Sequence, residues 1–186
     1  LFMVSADKIG KLEELKIKRL IDIHDDFPLS DKQKLQILAT RQGKEIIAGD
    51  KIKKFLKKLV FPLYFLDYET MSSVIPYFDG LSPYRQLPFQ YSLYVMDKPN
   101  GEISHFFYLH KEKSNPSKAL SASLKSNIGS KGSVLVWNES FEISCNKLLG
   151  KLLPESEPFY KKLNERIVDL MIPFSSSWYV HKDFGG

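Results

Sequence analysis

The sequence predicts an α/β protein, in which helices pack on a mixed five-stranded sheet and a small helical appendage precedes it. Two observations predict this class. Residues 61–109 contain three apolar runs that read as successive strands, and Lys98-Pro99-Asn100-Gly101 forms a hairpin turn between the second and the third. From residue 116 to residue 170, segments with helical spacing alternate with short apolar strands. This order favours three antiparallel strands followed by helix-connected strands.

Composition limits the compartment and the chemistry. The 186 residues are 43% hydrophobic, which is enough for a sizeable core. The single cysteine, Cys145, excludes an internal disulfide and a multi-cysteine zinc site, so we expect a cytoplasmic protein. No apolar run is long enough to span a membrane, and no signal sequence is visible. Because Leu1 is not an initiator methionine, we expect a fragment of a longer chain.

The net charge of +5 is unevenly distributed along the chain. Residues 1–60 carry 14 Lys/Arg and 9 Asp/Glu, whereas residues 61–186 carry 13 of each. The predicted domains follow the same division, with a basic helical appendage or linker at 1–60 and the α/β domain at 61–186. The basic segment could steer a nucleic acid towards the domain, or it could be an ordinary solvated surface.

The appendage is predicted to be helical. Residues 7–26 have the spacing of one or two short helices, and Ser30 with Gln33 forms a capping box that begins another, which should end near Gly43. A further helix is predicted over residues 50–60. Its inward-facing residues should be Ile52, Phe55, Leu56 and Leu59.

The first predicted strand ends in two acids. It runs from Pro62 to Glu69, and because side chains alternate along a strand, Asp67 and Glu69 should project to the same side. Neighbouring carboxylates repel each other and lose hydration when buried, and a hard divalent cation relieves both costs. The pair therefore indicates a metal site. The alternative is that Asp67 caps the following turn and Glu69 is a solvated loop residue.

The remaining elements follow in order. A long ordered loop over residues 71–88 should lie beside the acids, where Arg85, Gln86, Tyr77 and Tyr84 either meet a substrate or pack the loop down. Strands are predicted at 89–96, 103–109, 133–137 and 166–170, and helices at 116–127, 140–149 and 159–164.

Acids also follow the last two strands. Glu142 closes the turn Asn138-Glu139-Ser140-Phe141-Glu142, and Asp169 lies near the end of the fifth strand. This pattern resembles the RNase H-like fold of the DEDD exonucleases, whose first motif is Asp-x-Glu and whose second is Asn-x-x-Phe-acid. Glu142 stands where that motif has aspartate.

A closer resemblance is carried by several blocks in order: residues 64–70, Phe78-Asp79-Gly80, Pro83-Tyr84, residues 88–92, the 138–142 turn and residues 166–170. Over roughly residues 50–186 they resemble a bacterial domain-of-unknown-function family, regarded as DEDD-type nucleases and often joined to an upstream RecB/Cas4-like nuclease region.

The resemblance implies a 3′–5′ exonuclease acting on DNA or RNA with two Mg²⁺ or Mn²⁺ ions. Asp67 would bridge both ions, Glu69 would bind one and orient the attacking water, and Glu142 would hold the second. Asn138 and Asp169 would support these ligands by hydrogen bonds, although Asp169 could equally be a cap.

The third motif of that superfamily, a Tyr or His followed one turn later by an Asp, has no counterpart after Asp169. Residues 178–186 resemble a loop, so His181 and Asp183 are assigned no catalytic role, and we expect the domain to be truncated at its C-terminus.

Functions other than an exonuclease fit these residues to different degrees. An inactive nucleic-acid-binding or protein-docking module on the same fold remains an alternative, which Glu142 favours. A glycosidase needs its carboxylates farther apart than Asp-x-Glu on one strand allows. Cys145 as a nucleophile has no histidine indicated beside it.

Overall fold

The computed structural model describes residue 1 and residues 3–183. In this part of the chain there are seven α-helices and seven strands, with 3-10 turns at Leu20–Asp22 and Pro154–Ser156. In chain order the elements are α1 (Ala6–Glu14), α2 (Asp31–Gln42), β1 (Ile46–Ile47), α3 (Gly49–Leu56), β2 (Leu63–Met71), β3 (Leu87–Met96), β4 (Ile103–Leu109), α4 (Ser117–Asn127), β5 (Ser133–Val136), α5 (Glu139–Leu152), α6 (Glu157–Asn164), β6 (Ile167–Asp169), α7 (Ile172–Ser175) and β7 (Tyr179–Val180).

The chain forms two compact units. The helical unit contains Leu1–Lys57 and the segment from Ile172 onward, and the sheet unit contains Lys58–Met171. Among the residues described, no helix is both long and apolar enough to cross a membrane.

The sheet unit contains a mixed five-stranded sheet in the order β4-β3-β2-β5-β6. β3 is antiparallel to both β2 and β4, whereas β5 is parallel to β2 and β6 is parallel to β5. The predicted α/β class and mixed five-stranded sheet are therefore confirmed. The bounds of β4 agree with the prediction at both ends.

The core of the sheet unit lies on one face of the sheet. Tyr64, Leu66 and Tyr68 occupy alternate positions of β2 and are buried in this core. Asp67, between Leu66 and Tyr68, and Glu69, directly after Tyr68, are exposed. This is the alternation expected of a strand with one covered face. The helices α4, α5 and α6 contribute Leu120, Leu124, Cys145, Leu149, Tyr160 and Leu163.

The helical unit has its own small core of Ile23, Phe27 and Ile37. The predicted capping box begins α2: the Gln33 backbone N–H donates to Ser30 Oγ at 3.4 Å, and Gln33 Oε1 accepts from the Ser30 N–H at 3.0 Å. Gly43 ends the helix in the left-handed conformation with φ 63°, which glycine adopts without steric cost. The sequence located both ends of this helix correctly.

The prediction for the third helix was wrong at its C-terminus. α3 ends at Leu56, whose side chain is 52% exposed rather than inward-facing. A turn at residues 57–58 follows, and by Val60 the chain is bonded to the sheet unit: the Ser133 N–H donates to the Val60 carbonyl at 2.8 Å and the Val60 N–H donates to Ser133 Oγ at 3.0 Å. A backbone that is paired in this way cannot continue the helix.

A second, two-stranded sheet was not predicted. β1 and β7 pair antiparallel within the helical unit, with Ile46 opposite Val180 and Ile47 opposite Tyr179. β7 falls in the segment 178–186 that was predicted to be a loop, and residues 184–186 of that prediction lie outside the described residues.

Candidate functional site

The central strand and its parallel neighbour bring the predicted site residues to one end of the sheet. Phe65 of β2 lies opposite Leu135 of β5, so Asp67 and the turn after β5 occur at the same end. Asp169 lies opposite Val136 on the next strand. The carboxyl ends of β2, β5 and β6 therefore carry Asp67, the Glu142 turn and Asp169.

Glu142 lies in the first turn of α5 and is 1% exposed. Its Oε2 atom is buried and has no hydrogen-bond partner among the described residues. A buried carboxylate oxygen without a partner is costly, because the oxygen loses water and gains nothing in return. An ordinary structural carboxylate would be paired.

Three acids interact electrostatically at this end of the sheet. The pKa of Glu142 is raised to about 7, mainly by burial and further by the charges of Asp67 and Asp169, while a backbone hydrogen bond acts in the opposite direction. Asp67 and Asp169 are thus each close enough to Glu142 to repel its carboxylate. Glu69, which is exposed on β2, does not contribute to this shift.

Asp169 holds the turn that precedes Glu142. Its side chain is buried, and Oδ1 accepts hydrogen bonds from the backbone N–H groups of Asn138, at 3.0 Å, and Met171, at 2.8 Å. This arrangement joins the end of β6 to the start of α5. Asp169 therefore acts on the backbone around the site.

Asn138 shapes the turn before Glu142 mainly through its backbone conformation. It has a φ of 72°, in the left-handed region that Asn tolerates better than most residues, and this conformation turns the chain from β5 into α5. Its side chain is exposed, and Asn138 Oδ1 accepts from Ser140 Oγ at 2.7 Å.

These acids do not form a closed metal-binding cluster. Within residue 1 and residues 3–183, no group of three or more His, Cys, Asp and Glu side chains is arranged to hold a metal ion. The structure brings Asp67, Glu142 and Asp169 together electrostatically, but it does not gather them as ligands.

A buried polar chain beneath the site was missed by the sequence analysis. The Tyr68 hydroxyl donates to Asn146 Oδ1 at 2.8 Å, and Asn146 Nδ2 donates to Asn164 Oδ1 at 2.7 Å. Burial raises the pKa of Tyr68 well above its usual value, and the nearby Glu142 charge adds to this. The spacing of four residues between Glu142 and Asn146 places both on one face of α5, and that spacing could have identified Asn146.

The environment of Cys145 agrees with its having no nucleophilic role. The pKa of Cys145 is raised to about 12 by burial and by the charge of Glu142, against which Arg85, exposed in the loop after β2, acts in the opposite direction. Such a thiol is protonated at neutral pH and is a poor nucleophile.

In the helical unit, His181 and Asp183 pair with each other, with His181 Nδ1 3.5 Å from Asp183 Oδ2, and Lys182 also binds Asp183.

Fold and site together define an α/β protein with acids gathered at the carboxyl ends of its central parallel strands. Residues 64–186 match the model of a family described as a domain of unknown function, DUF2779, and the chain belongs to that family. This agrees with the domain-of-unknown-function family that the motifs resemble. No curated protein and no solved structure matches the chain.

Proposed function

We propose that this chain carries an RNase H-like, metal-dependent exonuclease domain that hydrolyses phosphodiester bonds of DNA or RNA from the 3′ end. The observation that carries the proposal is the buried Glu142 carboxyl, which has an unpaired oxygen and lies within the fields of Asp67 and Asp169. Each of these features costs stability in the metal-free chain, and a divalent cation would relieve both.

The strand arrangement supports this assignment. Three antiparallel strands followed by two parallel ones is the sheet that the resemblance to RNase H-like nucleases implies. β2 and β5 are parallel neighbours in the sheet. The strand that follows β2 in the chain, β3, lies on one side of this pair, and the strand that follows β5, β6, lies on the other side. A crevice outside the carboxyl ends of strands at such a point is a common ligand site in open α/β sheets.

The donor set suits Mg²⁺ or Mn²⁺, which prefer carboxylate oxygens. Asp67 and Glu142 would hold the ions, and Glu69 would bind one of them and orient the attacking water. When bound, the ions would supply an activated water and stabilise the charge on the leaving oxygen. Asp169 and Asn138 would keep the turn before Glu142 in position.

A second candidate is an inactive nucleic-acid-binding or docking module on the same fold. The absence of a three-ligand group within residues 1 and 3–183 favours it, and so does glutamate at position 142 in place of the motif's aspartate. With a pKa of about 7, Glu142 is only partly ionised at neutral pH, which weakens it as a resident ligand.

Single-stranded DNA and RNA, labelled at the 5′ end and incubated with the chain and Mn²⁺, distinguish the two candidates. The exonuclease proposal predicts a ladder of progressively shortened products that disappears with Asp67→Asn. Asp97→Asn is the matched control, since Asp97 is an exposed acid following β3 at the opposite end of the sheet. Binding without shortening would support the module instead.

A further inference from the structure

The outer edge of the five-stranded sheet is formed by β4, and β3 is the only strand of the described chain that pairs with it. Its ladder with β3 runs without a register shift from Ile103 to Leu109. Six of its seven residues are exposed, and Tyr108 is half-buried.

This edge lacks the usual protection against strand pairing. Exposed edge strands are normally kept apart by lysine, proline, a bulge or an inward-facing charge. The sequence Ile-Ser-His-Phe-Phe-Tyr-Leu contains no charged carboxylate or lysine and no proline. Four of its exposed side chains are large and apolar, namely Ile103, Phe106, Phe107 and Leu109, and Phe107 is 69% exposed. An edge of this kind is able to pair with a further strand.

The free backbone groups of β4 can be identified from its pairing with β3. The His110 N–H donates to the Phe89 carbonyl at 2.9 Å, and successive residues of a strand direct these groups to opposite sides. Residues 104, 106 and 108 therefore bond to β3. The N–H and C=O groups of residues 103, 105, 107 and 109 point away from the sheet.

We propose that β4 pairs antiparallel with β4 of a second copy of this chain, about a two-fold axis at Phe106, and so joins two five-stranded sheets into one. Ile103 then bonds to the partner's Leu109, and His105 bonds to the partner's Phe107. Phe106 lies opposite its own counterpart in a close, non-hydrogen-bonded pair. An isologous contact of this kind closes as a dimer.

Self-complementarity selects this register. Ile103 and Leu109, at the two ends of the strand, are paired with each other, and Glu102 just before the strand faces the partner's His110. A shift by one residue pair in one direction places Leu109 opposite glycine, at position 101. The same shift in the other direction places Ile103 opposite Lys111. The register centred on Phe106 therefore pairs the apolar residues Ile103 and Leu109 with each other and opposes no like charges.

A single pair of strands buries less surface than a standard stable interface, so the dimer should be weak and concentration-dependent. Sedimentation equilibrium of the chain should give an average mass that rises with concentration from 21.5 kDa towards twice that value. Phe106→Lys and Phe106→Glu should each stay monomeric, because two like charges then meet at the axis. An equimolar mixture of the two variants should dimerise again.

Ile75→Lys is the control for adding a lysine to an exposed apolar site, and it should dimerise as the natural chain does. A chain that stays monomeric at every concentration overturns the proposal. A dimer that both Phe106 variants leave intact also overturns it, since another surface must then be responsible.

Disulfide formation tests the register independently of charge. Phe106→Cys should cross-link on mild oxidation, because only residue 106 lies opposite itself, whereas His105→Cys should not. Cys145 is buried at 2% exposure, so the natural chain provides the background. Equal cross-linking at positions 105 and 106, or none at either, contradicts the pairing.

Discussion

The first and second turns of α5 each contain a fully buried polar side chain, but only the one in the second turn has all of its hydrogen-bonding atoms paired. Glu142 is 1% exposed and Asn146 is 0% exposed, and they lie four residues apart on one helix. Asn146 is bonded at both its oxygen and its nitrogen, whereas Glu142 has an oxygen without a partner and two acids nearby. A paired buried group stabilises a fold, while an unpaired one beside like charges is typical of a binding site.

The largest effect should come from removing the satisfied group. Asn146→Ala leaves the buried hydroxyl of Tyr68 without its acceptor and opens a small cavity. We expect the free energy of unfolding to fall by about 3 kcal/mol. Chemical denaturation measures it, and Asn164→Ala, at the half-buried end of the same chain, should cost less. An Asn146→Ala loss below that of Asn164→Ala would contradict the comparison.

Removing the unpaired carboxyl of Glu142 should raise the free energy of unfolding at high pH. The pKa of Glu142 is about 7 in the folded chain and 4.5 as a free side chain. Between these values the folded state holds a proton that the unfolded state lacks, so stability falls as pH rises and the loss is complete above pH 7. At 1.36 kcal/mol for each pKa unit, the loss has an upper bound of about 3 kcal/mol.

Glu142→Gln in EDTA should therefore match the natural chain near pH 4 and exceed its stability by about 2 kcal/mol at pH 8. Denaturation across this pH range provides the measurement. Glu139→Gln removes an exposed acid from the same helical turn and should keep the natural pH dependence. If Glu142→Gln lowers stability at pH 8, the carboxylate has a partner and the comparison fails.

The smallest change in the free energy of unfolding should come from Asp169→Asn. Asn can still accept from the N–H groups of Asn138 and Met171, so we expect a loss of only about 1 kcal/mol at pH 5. Because one of the charges that raise the pKa of Glu142 is gone, the pH at which stability declines should move downward. An unchanged midpoint would mean that Asp169 does not act on Glu142.

The sequence predicted most of the local structure of the sheet unit. The apolar run to Glu69, the hairpin before Ile103 and the acid-bearing turn after β5 each have a local pattern, and their strands were located within a few residues. The capping box predicted the start of α2 for the same reason. Short-range hydrogen bonds determine these features.

What the sequence could not predict depends on distant partners. β1 and β7 are each two residues long and pair across more than a hundred positions of sequence, so neither has a pattern of its own. At the site, the Asp-x-Glu pattern predicted that Asp67 and Glu69 would project together into a metal site. Only the packing of α5 reveals that Asp67 acts on Glu142 and that the carboxyl of Glu142 is unpaired.

Calorimetric titration with Mn²⁺ at pH 6, in two buffers of different ionisation enthalpy, tests the central claim most directly. A cation that binds the ionised Glu142 must displace its proton, so we predict release of close to one proton per ion. This release should vanish with Glu142→Gln, and binding should weaken with Asp67→Asn but not with Asp97→Asn. Identical heats and proton counts in the natural chain and in both site variants would contradict the account.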